Sequence, residues 1–289
     1  MEEKRMQDKS QVYQTIQMQP EAMLKVLRPL AMELASHRQK LGHPFIQGIL
    51  GGQGTGKTTM CKVLSKILQQ MGYSTLSLSL DDLYKTYSDR LILKQLDSRL
   101  IWRGPPGTHD IELGVNTLDQ IRQYKSQVAV PRFDKSAYAG AGDRTTPLIV
   151  ENIDIVLFEG WFVGVRPIDP AKFDNAPPPI VTDEDKTFAR DLNSKLNEYL
   201  TLWERLDNLI VLFPTDYRLS LEWRKQAERQ MIAAGNLGMT DAQVEQFVNY
   251  FWRSLHPELF ISPLVTSPTF VDLVIEINPD HSFGAVYQP

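Results

Sequence analysis

The clearest chemistry in this chain sits in one short run, Gly51-Gly52-Gln53-Gly54-Thr55-Gly56-Lys57-Thr58, followed by Thr59. Glycines at these positions let the backbone bend tightly and turn its N–H groups inward, where they can cradle a phosphate. Lys57 can reach the β- and γ-phosphates, and the Thr58 hydroxyl can meet Mg²⁺. Phe45-Ile46-Gln47-Gly48-Ile49-Leu50 precedes the run as an apolar strand, and Met60 to Leu68 follows as an amphipathic helix. The start of that helix adds partial positive charge to the anion site. Such a loop implies a nucleoside triphosphate, but ATPases, GTPases and small-molecule kinases all use it.

Two acids stand where strands should end. Ser74-Thr75-Leu76-Ser77-Leu78-Ser79-Leu80 alternates as a strand and runs into Asp81-Asp82-Leu83-Tyr84. Open α/β sheets bind ligands at the carboxyl ends of their strands, which places Asp81 near the phosphate loop. There it could accept or orient the proton of an alcohol. The competing reading is that Asp81 or Asp82 caps the next helix. The clearest buried strand, Ile153 to Phe158, ends in Glu159-Gly160. Glu159 could hold Mg²⁺ directly or through water, or simply face solvent.

Two further sets of polar residues complete the candidates. The stretch 215–234 reads as a helix carrying Arg218, Arg224, Lys225 and Arg229, of which 218, 225 and 229 fall near a common face. As a lid it would lay positive charge over a transferring phosphoryl group. As an ordinary solvated helix it would spend that charge on Glu222 and Glu228. His109, Asp110, Arg132, Asp134 and Arg144 lie in loops. An arginine fork suits the carboxylate of a small acid, although single loop residues of these types are more often structural.

Alternating strands and helices must position these groups. Strands are expected at 45–50, 74–80, 128–131, 153–158, 208–213 and 271–277, the last being the final one. Helices are expected at 86–100, 112–124, 186–203, 215–234 and 240–256, the last with Thr240 as N-cap and Gln243 as its capping-box partner. The pattern predicts an α/β fold of P-loop NTPase type: three layers, a mostly parallel central sheet, a helical lid and an N-terminal helical extension. Residues 1–10 read as frayed. The helical pattern of 11–40 is divided in two by Pro29, which gives a 1–44 extension and a 45–289 kinase domain. Arg132 to Ser136 leads into a loop, 135–147, suited to a mobile substrate cover, and 173–185, with its prolines, reads as an exposed loop.

Composition sets the outer limits. The chain has 289 residues, 42% hydrophobic and 23% charged, enough for a sizeable core. A net charge of -4 argues against nucleic acid as a partner. Cys61 is the single cysteine, so no intrachain disulfide forms and no Cys/His zinc set exists; its expected place is a buried helix face. No signal-type run opens the chain and no stretch has the length of a membrane span, so a soluble cytoplasmic protein is expected.

Together, Gly51–Thr58, Asp81-Asp82-Leu83-Tyr84, Arg103–Asp110, Val130-Pro131-Arg132-Phe133-Asp134 and Phe158-Glu159-Gly160-Trp161 resemble the D-glycerate 3-kinases of plants and cyanobacteria. These belong to the wider group of phosphoribulokinase, uridine kinase and bacterial pantothenate kinase. The resemblance covers 45–289, with Glu159 where P-loop proteins more often carry Asp. It implies transfer of the ATP γ-phosphate to D-glycerate, giving 3-phosphoglycerate as in photorespiratory glycolate salvage, with ATP and Mg²⁺ as cofactors. It implies Asp81 as catalytic base, Asp134 and Arg144 touching the acceptor, and Arg218 and Arg224 as lid arginines. Tyr84, His109 and Arg132 join the expected substrate-binding set, with Arg132 or Arg144 pairing the carboxylate. Two further readings stay open: a kinase for a nucleoside, pantothenate or sugar phosphate, with Tyr84 and Trp161 stacking on a base, or an ATP-binding regulatory protein with little transfer activity.

Overall fold

A computed structural model describes residues 20–235 and 237–289. The expectations for 1–10 and for the start of the first helix lie outside these residues. The described chain opens with helix α1 (Glu21–Lys40), then strand β1 (Phe45–Gly51), the phosphate loop and α2 (Lys57–Gln70). β2 (Thr75–Ser79) leads through a 3₁₀ turn at Leu80–Leu83 into α3 (Tyr87–Leu96) and α4 (Ile111–Arg122). β3 (Val128–Asp134) and β4 (Asp143–Val150) form a hairpin of their own, followed by β5 (Ile155–Gly160) and α5 (Asp183–Lys195). β6 (Asn208–Pro214), α6 (Leu219–Ala233), α7 (Asp241–Ser254), β7 (Leu273–Ile277) and β8 (Phe283–Tyr287) complete it.

The main sheet has the order β2-β5-β1-β6-β7-β8, parallel except for the β7–β8 pair. β1 is buried at every position, as a central parallel strand covered on both faces must be. Alternate residues feed two apolar layers. Phe45, Ile49, Ile155, Leu157, Ile210 and Leu212 face α1 and α2. Ile46, Leu50, Val156, Phe158, Leu209 and Val211 face the opposite side, which holds Phe162, Tyr199 and Trp203. The three-layer α/β architecture follows from that alternation.

Several boundaries differ from the sequence reading. Pro29 does not divide α1, which runs unbroken through it. Pro29 and Lys25 are both exposed, so water can take the carbonyl that proline leaves without a donor. Leu27, Leu30, Ala31 and Leu34 bury the other face in the same layer as α2 and β1. The substrate-cover loop is partly an ordered ribbon: β3 extends to Asp134 and pairs with β4, Arg132 against Thr145 and Phe133 against Arg144. β4 was not expected because its residues are mostly exposed and carry no alternation, and β8 escaped as a short edge strand for the same reason. The 173–185 loop is anchored, with Phe173 and Ile180 fully buried. Among the described residues no helix is long and apolar enough to cross a membrane.

Replacing Pro29 with Ala restores a helical N–H and is expected to stabilise the protein by about 1–2 kcal/mol, net of proline's restraint on the unfolded chain. Urea unfolding measures this, and no gain would mean that the turn around Lys25 has already adapted to the proline.

Candidate active site

Gly54 and Gly56 hold φ of 79° and 86°, the left-handed region that a side chain disfavours. Gly54 also touches another element: a Cβ there would fall 2.8 Å from the Trp223 Cβ on α6. Trp223 stacks on His281 at 4.6 Å and donates to the Pro279 carbonyl. His281 Nδ1 in turn lies 3.1 Å from the Gly54 carbonyl. The loop is therefore gripped between α6 and the β7–β8 turn, by residues whose local sequence carries no phosphate signature. Within it Thr55 Oγ1 donates to the Gly52 carbonyl, and Lys57 Nζ donates to the same oxygen at 3.0 Å. Desolvation in the loop holds the Lys57 ammonium below its ordinary pKa, while Glu159 and Asp81 pull it upward. Cys61 packs behind, its thiol pushed up to about 12 by burial, so it is an inert core residue.

Thr58 Oγ1 and Glu159 Oε1 face each other at 3.2 Å across the mouth of the loop. One hydroxyl and one carboxylate fit a Mg²⁺–nucleotide, because Mg²⁺ keeps waters and takes phosphate oxygens rather than an all-protein cage. No group of three or more His, Cys, Asp or Glu side chains that could hold a metal ion occurs among the described residues.

The two neighbouring aspartates divide the roles that sequence left open. Ser79 caps the 3₁₀ turn, and Asp82 closes the capping box by accepting from the Ser79 N–H at 3.1 Å. Asp82 also binds Arg132. Asp81 is free of capping by its side chain and meets Lys135 Nζ at 2.5 Å. Burial opposes its charge, but the charge and hydrogen bond of Lys135, with help from Tyr84 and His109, hold its carboxyl below the usual range. No local signal points to Lys135 as a neighbour of Asp81, since it sits in a turn 54 residues away.

The expected substrate-binding set is placed less simply. Tyr84 is buried and stacks on His109 at 4.6 Å, and burial together with the nearby Asp81 charge raises the pKa of its hydroxyl. His109 is 2% exposed, so it forms the wall behind Tyr84 rather than an open contact surface. Its Nδ1 pairs with the Tyr199 hydroxyl at 2.7 Å, and burial lowers its pKa to about 3. Arg132 is engaged by Asp82 and the Ser77 carbonyl. Arg144 is engaged by Asp110 at 2.7 Å and by the Tyr84 carbonyl. Asp134 is exposed and accepts from Ser136 N and Oγ, closing its own turn. All three were expected at the acceptor, but each satisfies its charge or hydrogen-bonding capacity within the protein.

The basic helix is anchored at the loop by Trp223, yet its cations are paired. Arg224 binds Glu228 at 2.5 Å, and Glu228 is buried and also accepts from Met239 N–H. Arg229 pairs with Asp241 on α7, and Lys225 with Glu222. Arg218 is exposed beside Asp216, at the start of α6.

Comparison with known proteins gives this site its family. No family model matches the chain. The chloroplastic D-glycerate 3-kinase of Arabidopsis thaliana is 30% identical over 254 residues, covering 83% of this chain and 54% of that protein. The chain thus spans about half the length of that relative. The uncharacterized kinase mug58 of Schizosaccharomyces pombe is 31% identical, covering 73% of this chain and 79% of its own. A solved D-glycerate 3-kinase from Cryptococcus neoformans superposes with a TM-score of 0.79 at 28% identity, covering 96% of this chain and 99% of that one. The chain belongs to the D-glycerate 3-kinase family. The family resemblance noted in the sequence agrees with this, and so does the parallel-sheet P-loop kinase fold.

Two electrostatic expectations follow for this member of the D-glycerate 3-kinase family. Lys135→Met should raise the pKa of the Asp81 carboxyl, read by NMR titration of its carboxyl carbon; an unmoved midpoint would remove Lys135 from the site. His109 is kept neutral by burial, so its contribution to stability is complete above its ordinary pKa of 6.5 and is lost as pH falls toward 3. His256 is shifted in the same direction. Stability should therefore fall between pH 6.5 and 5, and His109→Gln should flatten that slope by up to ~1.4 kcal/mol per pH unit. An equal slope in the variant would show that His109 does not titrate on unfolding.

Proposed function

We propose that the chain transfers the γ-phosphoryl group of Mg-ATP to the 3-hydroxyl of D-glycerate, giving 3-phosphoglycerate and ADP. The observation that carries this reading is Asp81: its carboxylate is free of capping, kept ionised, and within the field of the phosphate-loop Lys57. A carboxylate there can take the proton of an alcohol as its oxygen attacks the γ-phosphorus and the bond to the β-bridging oxygen breaks. The loop amides and Lys57 would hold the phosphates in line. Mg²⁺, when bound at Thr58 and Glu159, supplies neutralising charge on the β- and γ-oxygens. Residues 45–289 would carry the chemistry, with α1 as a buttress behind the loop helix.

The alternative of a base stacked on Tyr84 and Trp161 is disfavoured by packing. Tyr84 already stacks on His109, and Trp161 donates to the Gly104 carbonyl and is packed edge-on against Phe162 and Phe251. Membership of the family supports D-glycerate as acceptor, and on the same reading the product belongs to photorespiratory glycolate salvage in a reducing cytoplasm.

ADP release from Mg-ATP is expected to be stimulated by D-glycerate and not by L-glycerate, uridine or pantothenate, with NMR of the product locating the phosphate on C3. Asp81→Asn should lower kcat by roughly 10²–10⁴-fold with ATP affinity retained. Near-normal turnover in that variant would dismiss Asp81 as the base.

A further inference from the structure

Arg132 and Arg144 are satisfied by Asp82 and Asp110, which leaves open which groups receive an acceptor carboxylate. A different pair of arginines is free of carboxylates. Between α3, the 100–108 loop and the 139–141 turn lies a cavity of about 380 Å³, whose lining includes Arg90, Lys94 and Arg103. Arg99 nearby pairs with Asp97 and Asp191, and Lys135 with Asp81. Among the described residues, Arg90, Lys94 and Arg103 have no such ion pair. Asp143 acts on Arg90 from a distance, but its Oδ1 accepts the N–H groups of Tyr87 and Arg144.

The two arginines bind backbone oxygens instead. Arg103 Nη1 donates to the carbonyls of Gly140 and Ala141 at 2.7 and 2.9 Å. Arg90 Nη2 donates to those of Ala141 and Gly142 at 2.7 and 2.6 Å. Both guanidiniums are half-buried, and each lies in the other's field. Two like charges held together with only carbonyl dipoles between them favour an anion in their place. The turn that supplies those dipoles is strained: Tyr138 and Ala139 have φ of 49° and 53°, in a region that side chains avoid. Its carbonyl pairs offer the guanidiniums the two-oxygen pattern of a carboxylate.

The pair also adjoins the reacting centre. The Arg103 guanidinium lies over the rings of Tyr84 and Phe133, at 5.8 and 5.5 Å from their centroids. Tyr84 closes the 3₁₀ turn that carries Asp81 and its N–H donates to the Asp81 carbonyl at 3.4 Å, so one aromatic residue links the arginines to the proposed base. We propose that Arg103 and Arg90 receive the carboxylate of the acceptor, which takes the place of the 140–142 carbonyls. The inference rests on the reading of the chain as a kinase for a small hydroxy acid. Displacing the turn would also free the segment that begins at Lys135 and holds Asp81, so carboxylate binding would open the base to the acceptor hydroxyl.

The test is calorimetric titration of D-glycerate into the protein with Mg-ADP, for the wild type, Arg103→Gln and Arg103→Lys. Loss of a fork of charged hydrogen bonds should weaken binding by roughly 10–100-fold in Arg103→Gln, with Arg103→Lys in between because charge remains without the planar fork. ATP affinity serves as the check that each variant is folded. A D-glycerate Kd in Arg103→Gln within twofold of wild type overturns the proposal. If the wild type ignores D-glycerate but binds L-glycerate or pantothenate, both carboxylates, the variants are titrated with that ligand. A loss of the same size then keeps the arginine site and dismisses D-glycerate as acceptor. Binding of uridine alone, or of none of these carboxylates, overturns the site.

Discussion

A phosphate loop works only while its amides and its lysine stay aimed at one point. In this protein that aim depends on the contact between Gly54 and Trp223. The glycine is needed twice, for its left-handed φ and for the closeness of the indole. Through Trp223 the loop is tied to α6, and through His281 to the turn between β7 and β8. The C-terminal strands thus brace a loop that begins far away in sequence. α6 and the loop meet at these stacked rings, so any displacement of α6 is felt first at Gly54.

Around this clamp, charge is distributed by burial. Asp81 and Asp82 are adjacent and chemically identical, yet one is spent on a cap and on Arg132 while the other faces Lys135 and Lys57. The alternation of the turn separates them, and the local partners fix what each can do. The wall behind Asp81 is made of His109, Tyr84 and Tyr199, which are buried and joined by stacking and a hydrogen bond. Of the groups that lower the Asp81 pKa, Lys135 acts most strongly, with Tyr84 and His109 of the wall adding to it. The charge of Asp81 is thus set mainly by one exposed cation, with a smaller part from the buried wall.

The hairpin over the site explains why its arginines serve different ends. Pairing β3 with β4 places Arg132 and Arg144 beside carboxylates of the neighbouring turn and helix cap, where they lock the cover to the body. The tip of the hairpin is held by Arg90 and Arg103 through its carbonyls, by Lys135 on Asp81 and by the stack of Tyr138 on Tyr87. A bond to a neutral carbonyl is weaker than one to a carboxylate, so the tip is the part of the cover that an anion can release.

Much was legible in the sequence because it depends on local pattern. The phosphate loop requires glycines at fixed spacing, the central strands require continuous apolar runs, and the cap at Thr240 with Gln243 requires two residue types three apart. Each of these can be read within a few residues, and Asp81 and Glu159 follow from strand ends in an α/β sheet. The strands β4 and β8 were not legible because exposed edge strands carry no alternation. Nor were Lys135, Trp223 or the commitments of Arg132, Arg144 and Arg224, because a side chain's partner is set by what the fold brings beside it. The sequence by itself determined a nucleotide loop on a parallel α/β sheet with acids at its edge. The tertiary structure alone decided which charges are already satisfied inside the protein, because pairing energy depends on distance and burial rather than on residue type.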